Sequence, residues 1–452
     1  MRTRNMTTGS PAKLIFAVAL PLMLGNVFQQ LYTVVDTAVV GNVLGVTALA
    51  ALGASDWFNW MCMSIVQGLA QGFSIPIAQA FGADDGPALR KNVASAILLA
   101  ACLSVLVSII ALFSITPVLR LLKTPDTILP ISRLYLTIIF AGTLIVAAYN
   151  LIAGILRSLG DGNTPLYAMI VASLVNVALD LLFVAALSWG VTGAASATLI
   201  AQLCSCAFCL WRLRGVKVVH PAPADFRPEP ARLLHLMRLS VPMAIQNAII
   251  SIGGMIVQSV VNGMGVLFIA GYTATNKLYG MLEVAATSFG YATTTYAGQN
   301  LGAGKIDRIR SGLRASLAMC LLASATIGGC MLLFGRSILS LFLSGTPQEV
   351  EQSLNYAYEF FSIMSAMLPV LYILYVYRST LQGLGDTLMP MVSGFAEFIM
   401  RTGAAMLLPG LIGHTGVFWA EVLAWSGAVA ILVTSYYTRF DALCARSMQK
   451  RP

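Results

Sequence analysis

Long apolar segments recur throughout the sequence, and they limit the chain to a fold that lipid can solvate. Twelve of them are long enough to cross the hydrocarbon of a bilayer, which takes about 20 helical residues. Only 10% of the residues are charged and 58% are hydrophobic, whereas about 25% of a soluble domain is charged. Because a helix satisfies its own backbone hydrogen bonds in lipid, the sequence predicts an all-α integral membrane protein. The predicted spans are 14–41, 47–80, 92–117, 130–157, 165–188, 191–212, 236–262, 266–299, 311–334, 352–380, 388–410 and 414–438.

The lysines and arginines lie mostly on one side of the predicted membrane layer. With an inner N-terminus, 21 of the 27 fall on the inner side, and the outer side has only Arg120, Lys123, Arg133 and Arg336. Cytoplasmic loops of membrane proteins carry such an excess. We therefore expect a multi-pass protein of the plasma membrane, which is the inner membrane in a cell that has two membranes. Both termini are expected in the cytoplasm. These loops account for the net charge of +9, and no nucleic-acid partner is expected.

The two halves of the sequence share three short motifs in the same order. Leu156-Arg-Ser-Leu-Gly-Asp161 recurs 225 residues later as Leu381-Gln-Gly-Leu-Gly-Asp386, each with a proline four residues further on. Gln79-Ala-Phe-Gly-Ala83 recurs as Gln299-Asn-Leu-Gly-Ala303, and Pro11-Ala-Lys-Leu14 as Pro230-Ala-Arg-Leu233. Six spans per half make the repeats parallel, an arrangement typical of transporters that move two bundles about a central site. The predicted domains are an N-terminal lobe (1–212), a cytoplasmic linker (213–235) and a C-terminal lobe (236–452).

Several carboxylates fall inside predicted spans, where an unpaired charge costs at least about 2.5 kcal/mol. On the fifth span Asn176 and Asp180 are four residues apart and so share a face, and Thr198 is the polar residue at matching depth on the sixth. Asp36, Asp180 and Thr198 lie roughly 8, 12 and 10 Å below the outer ends of their spans. Asp36 belongs to one polar face of the first span, together with Asn26, Gln29, Gln30, Thr33 and Thr37.

These side chains supply two carboxylates, an amide oxygen and a hydroxyl, which are hard oxygen ligands suited to a small cation such as Na⁺. The same pair of carboxylates could instead hold a proton, because burial and a neighbouring like charge both favour the neutral acid. The pattern therefore predicts a binding site for Na⁺ or H⁺, with no catalytic residues, no cofactor and no other metal. The alternative is that Asp36 and Asp180 only form hydrogen bonds to neighbouring helices.

The second half departs from this pattern. At the offset of 225 residues, Asn176 corresponds to Arg401 and Asp180 to Ala405. We expect a fixed guanidinium there, neutralised by Glu397 or Glu421, where the first half has an exchangeable cation. For Lys277 and Glu283 two interpretations stay open, a place in the second lobe's half of a cavity or a structural role.

Together these features resemble the multidrug and toxic compound extrusion (MATE) transporters. The resemblance is carried by the two six-helix repeats, Leu20-Pro21, Asp36, the Leu-Gly-Asp-x3-Pro motif after the fourth and tenth spans, and the set Asn176, Asp180 and Thr198. It implies a V-shaped pair of six-helix lobes and a cation site at Asp36, Asn176, Asp180 and Thr198 with the carbonyl of Ala194. It also places Tyr135 and Asn150 in the surrounding polar network. The seventh span lacks the acidic residue of one branch of the family, so no cation site is expected in the second lobe.

The function that the resemblance implies is secondary active multidrug efflux. Such an antiporter exports cationic amphipathic compounds against entry of Na⁺ or H⁺ by alternating access, and we expect small organic cations and the lipid bilayer as partners of a monomer. The closest alternative is a lipid-linked oligosaccharide flippase of the same superfamily. Such flippases usually have more cationic residues lining the cavity, whereas the only central cations expected here are Lys277 and Arg401. An intramembrane aspartyl protease is a remote alternative. Gly383-Leu-Gly-Asp386 fits the signature of these proteases. However, their shared-proton chemistry needs a second aspartate, and the sequence has no Tyr-Asp pair to supply it.

Overall fold

The computed structural model describes residues 4–343 and 346–449. Within these ranges every element of regular secondary structure is helical. Arg2, Lys450 and Arg451 of the inner basic group lie outside the described residues, as do the outermost ends of the two predicted lobes.

The described chain folds into fifteen helices, with two short 3₁₀ turns (Lys217–Val219 and Pro223–Phe226) between the seventh and the eighth. The helices are α1 (Pro11–Gly45), α2 (Thr47–Gly82), α3 (Gly86–Leu121), α4 (Leu129–Ala141), α5 (Thr143–Ser158), α6 (Asn163–Asp180), α7 (Val191–Leu213), α8 (Pro230–Asn262), α9 (Val266–Ala303), α10 (Ile306–Ser340), α11 (Pro347–Ala366), α12 (Leu368–Gly383), α13 (Leu388–Leu407), α14 (Pro409–Ile412) and α15 (Thr415–Gln449).

Two predicted spans are bent in the structure. The span 130–157 consists of α4 and α5, which meet at 47°, and the span 352–380 consists of α11 and α12, which meet at 48°. Pro369 at the start of α12 explains the second bend, because a proline has no N–H with which to continue the hydrogen bonding of α11. A third break, at Gly45 with φ +81°, separates α1 from α2.

The helices agree with the predicted spans in length and apolar character. Among the described residues, nine helices are long and apolar enough to cross a membrane alone, and counting each bent pair as one span gives eleven. The twelfth predicted span corresponds to α9, which has 38 residues and so is about 57 Å long. It is more polar than the others because it carries Asn276, Lys277 and Glu283.

The repeated Leu-Gly-Asp motif forms the same backbone turn in both halves. Gly160 and Gly385 adopt φ +75° and +83°, which glycine tolerates better than any other residue. In each turn the following amide, of Asp161 or Asp386, donates to the carbonyl five residues earlier at 3.0 Å. This identity of geometry supports the internal repeat that the sequence predicts.

The aspartate of each turn holds the start of the next helix. The Asp161 carboxylate accepts hydrogen bonds from the amides of Asn163 and Thr164, both at 3.0 Å. The Asp386 carboxylate accepts from an amide in the first turn of α13 and forms an ion pair with Arg439 at 2.8 Å. Both carboxylates are thus occupied in capping, which accounts for the Gly-x-Gly-Asp sequence without a protease.

The structure divides into two compact units, one of Leu20–Ala248 with the N-terminal residues to Thr7, the other of Thr8–Ala19 with the chain from Ile249 onward. The division lies inside α8, later than the predicted linker. The reason is that the first half of α8 packs on α2, with Ile75, Leu239 and Met243 in one apolar cluster.

Ion pairs hold the linker onto the first unit. Glu229 contacts Lys91 of α3 at 2.6 Å and Arg232 at 3.1 Å, and Asp225 contacts Arg90 at 3.6 Å. The Lys91 ammonium and the Arg232 guanidinium keep the pKa of the Glu229 carboxyl below its usual range. The linker between the halves is therefore folded against α3.

Replacing Gly385 by alanine should lower the free energy of unfolding by about 1–2 kcal/mol, because a Cβ is disfavoured in the left-handed region. Gly329→Ala is the matched control, since Gly329 lies inside α10 with open space around its Cα and alanine should raise helix stability by about 0.5–1 kcal/mol. Thermal unfolding of the two purified variants in detergent measures this. Equal shifts for both variants would contradict the turn geometry.

Candidate cation site and a second network of buried charges

Asp180 is the last residue of α6, and the chain continues from it as a π-helical segment, Leu181–Ala186. Such segments are rare and often lie at functional sites. Asp180 is fully buried, and Asn176, one turn earlier on the same face, is only 1% exposed. The sequence spacing of four residues therefore does bring an amide and a carboxylate together inside the first unit.

The first helix brings a second carboxylate to Asp180. The carboxyl groups of Asp36 and Asp180 lie within hydrogen-bonding reach when one of them carries a proton. The hydroxyls of Tyr32 and Tyr135 lie within electrostatic reach of both aspartates. Four side chains from α1, α4 and α6 thus surround one point.

The polar atoms at this point are not satisfied by the protein itself. Within the described part of the chain, Asp36 Oδ1, both carboxylate oxygens of Asp180 and both amide atoms of Asn176 are buried without a hydrogen-bond partner. Each such group costs about 1–3 kcal/mol, and a charged group costs more. A bound cation would coordinate these oxygens, and a proton on one carboxyl would let it donate to the other. The residues present fit Na⁺ or H⁺.

An apolar cluster closes the site toward the α6–α7 connection. Val40 lies one turn beyond Asp36, Val184 lies four residues beyond Asp180, and both pack with Val191 and Ala194 of α7 and with the ring of Tyr135. Because this cluster keeps water from one side of the carboxylates, the effective dielectric is lower there and charge interactions are stronger.

The remaining predicted ligands differ in whether their polar atoms are already engaged within their own helices. Thr198 is half-buried, and its hydroxyl donates to the carbonyl of Ala194 at 3.0 Å, so its oxygen keeps lone pairs for a ligand. Asn150 donates to its own helix, at the carbonyl of Val146, 2.9 Å away. The structure therefore brings together Asp36, Asn176, Asp180 and Tyr135, whereas the amide of Asn150 is occupied locally.

Tyr32 is a neighbour of the site that the sequence analysis missed. It lies four residues before Asp36, a spacing that stacks two side chains on one helix face. The signal was present, but the sequence analysis counted only asparagine, glutamine, threonine and aspartate side chains in the polar face of the first span.

The second unit contains buried charges that are already paired. Arg401 forms an ion pair with Glu421 at 2.9 Å, and Arg378 forms one with Glu397. Tyr375 donates a hydrogen bond to Glu283. At the position equivalent to Asn176, the second unit thus has a guanidinium with its own permanent counter-ion.

Of the two glutamates predicted as partners of Arg401, the structure selects Glu421, and Glu397 pairs with Arg378 instead. The placement of Arg378 also differs from what the sequence suggested. Arg378 was counted among the inner loops, but it lies within α12 and is only 6% exposed. Lys277, by contrast, is exposed, and among the described residues it takes part in no ion pair.

The described residues form an all-helical chain with many candidate membrane spans and an internal repeat, which is the architecture of a membrane transporter. The MatE family model matches residues 21–182 and 242–406, one stretch in each half. The chain belongs to the MatE family, and it is therefore a membrane transporter and not an enzyme. The family resemblance read from the sequence is confirmed.

Curated relatives and solved structures agree with this assignment. The chain is 28% identical over 421 residues to the Probable multidrug resistance protein YpnP of Bacillus subtilis, covering 92% of this chain and 93% of that protein. It is 30% identical to the Probable multidrug resistance protein YoeA of the same organism, covering 73% and 72%. A MOP superfamily transporter from Pyrococcus furiosus, described as having reverse polarity of its binding pocket, superposes with TM-score 0.91 at 24% identity over 98% of this chain and 99% of that one. The predicted fold class is confirmed.

The Arg401–Glu421 pair gives a stability prediction for the second unit. Glu421→Gln leaves a buried guanidinium without its counter-ion and should cost about 3–5 kcal/mol, whereas the double variant Glu421→Gln/Arg401→Gln should recover most of that loss. Lys277→Gln, at an exposed cation, should change stability by less than about 0.5 kcal/mol. The measurement is thermal unfolding in detergent, and an unchanged melting temperature for Glu421→Gln would show that the pair is not a permanent one.

Proposed function

We propose that this transporter is a secondary active multidrug antiporter of the plasma membrane, which exports cationic amphipathic compounds in exchange for Na⁺ or H⁺ by alternating access. The observation that carries the proposal is the group of buried atoms of Asp36, Asn176 and Asp180 that have no hydrogen-bond partner in the described chain. The names of the relatives YpnP and YoeA, both probable multidrug resistance proteins, support the class of cargo.

The ion gradient, acting through binding at the aspartate pair, would supply the free energy for export. The membrane potential contributes about 2.3 kcal/mol per 100 mV for each net positive charge that enters. Asp36 and Asp180 would be neutralised as the cation arrives, which removes the repulsion between them and changes how α1 packs on α6. Pro21 lies inside α1, and because it breaks the helical hydrogen bonding it is a point at which α1 can bend.

The distribution of buried charge favours a cationic cargo. The first unit has two neighbouring carboxylates, and the buried arginines of the second unit, Arg378 and Arg401, are each neutralised by a glutamate. A lipid-linked oligosaccharide flippase would need free cations to hold a pyrophosphate. Of the two cations that the sequence analysis named for this role, Arg401 is paired with Glu421, and Lys277 has no carboxylate partner in the described chain. This alternative therefore has less support.

Proteoliposomes test the proposal directly. Efflux of a fluorescent organic cation should be driven by an inward gradient of Na⁺ or of H⁺, each imposed separately. Asp36→Asn should reduce gradient-driven efflux by roughly 5- to 150-fold, because it removes the coupling free energy between ion and cargo.

The control is Asp126→Asn, which removes an exposed carboxylate between α3 and α4 and should leave efflux unchanged. Undiminished efflux by Asp36→Asn would rule out the coupling site. Export of an anionic dye in preference to the organic cation would rule out the proposed cargo.

A further inference from the structure

The first unit contains an apolar cavity of about 560 Å³ that lies apart from the aspartate pair. Its walls come from α3, α5, the end of α7 and the linker, and all but two of the lining residues are apolar. The two exceptions are Arg214 and His220, both exposed and both in the chain just after α7. Binding sites for small molecules typically have volumes of roughly 300–1,000 Å³.

The cavity extends from the ends of these helices into the membrane layer. On α5 its lining begins at Ile155, about 5 Å from the helix end, and reaches Leu144, about 21 Å from that end. On α3 the lining begins at Val93 and reaches Ala101, about 10 and 22 Å from the start of the helix. One leaflet of hydrocarbon is about 15 Å thick, so the cavity matches the depth of an acyl chain.

The mouth of the cavity is basic. Arg214 forms no ion pair with any carboxylate in the described chain, and His220 is held by a contact of its Nε2 with the carbonyl of Leu213 at 3.2 Å. Val219 and Pro221 of the linker also line the cavity, and the ion pairs of Glu229 and Asp225 hold the following part of the linker against α3. An amphiphile with an anionic head would therefore place its tail inside and its charge at Arg214.

We propose that this cavity binds one acyl chain of an anionic phospholipid whose phosphate lies against Arg214. Three features combine to support this occupant: an apolar interior, a depth of one leaflet, and a basic mouth on the side that the positive-inside rule places at the cytoplasm, where anionic lipids attract juxtamembrane basic residues. A cationic drug suits the interior equally well but is repelled by Arg214. The site is thus distinct from the proposed transport path.

Native mass spectrometry of the delipidated full chain in a non-ionic detergent tests this proposal. Phosphatidylglycerol and phosphatidylcholine with the same acyl chains are titrated in parallel. The wild type should retain one phosphatidylglycerol at concentrations at which phosphatidylcholine is lost, with a preference of at least about fivefold, as expected from one arginine at a membrane surface.

Two variants separate the mouth from the interior. Arg214→Gln should bring the retention of phosphatidylglycerol down to that of phosphatidylcholine, whereas Arg120→Gln, at an exposed arginine on α3, should leave the preference intact. Ala148→Phe fills the cavity and should abolish retention of both lipids. Leu174→Phe, at a side chain of α6 that is 68% exposed, is its control and should bind as the wild type does.

Melting temperatures in detergent without lipid establish which variants are folded. If Ala148→Phe is unfolded, Arg214→Gln decides the question, because it changes an exposed side chain. Equal retention of the two lipids by the wild type, or a preference that survives in Arg214→Gln, would overturn the proposal. The readout is lipid retention and not efflux, so its failure would leave the antiport proposal untouched.

Discussion

Two carboxylates, Asp36 and Asp180, lie within reach of each other among apolar side chains of the first unit. Asp36 and Asp180 repel each other, and with both ionised the described protein offers no hydrogen bond to either oxygen of Asp180. Neither burial nor packing can remove that cost, because the surrounding Val40, Val184 and Ala194 are apolar. The pair is compatible with folding in a membrane only when a small cation or a proton is shared between them. The antiport that we propose would use this cost, because an ion could then fill and leave the site in each cycle.

The second unit solves the same problem with permanent counter-ions. Arg401 occupies the position equivalent to Asn176 and is neutralised by Glu421, and Arg378 is neutralised by Glu397. Because these partners are covalently part of the protein, they do not leave during a transport cycle. The internal repeat has thus kept its turns, at Gly160 and Gly385, while its charge chemistry has diverged. In the proposed antiport, ion exchange would belong to the first unit only.

Much of this was predictable from the sequence. Asp36, Asn176 and Asp180 stand out because charges in a span are expensive and because a spacing of four residues puts two side chains on one face. Partner choice is harder to predict, as the glutamate of Arg401 shows. Two candidates, Glu397 and Glu421, were available, and only the packing of α12 against α13 shows that Glu397 belongs to Arg378. The fold of the linker against α3 was also missed, because its ion pairs join residues more than a hundred positions apart in sequence.

The proposed antiport requires the Asp36–Asp180 pair to exchange a cation. Infrared difference spectroscopy of the purified protein can detect this exchange, because a protonated carboxyl has a C=O stretch that a carboxylate lacks. Adding Na⁺ or raising the pH should remove such a band in the wild type and in Glu283→Gln, and the change should be absent in Asp180→Asn. A band change of the same size in Asp180→Asn, or none in the wild type, would contradict the account.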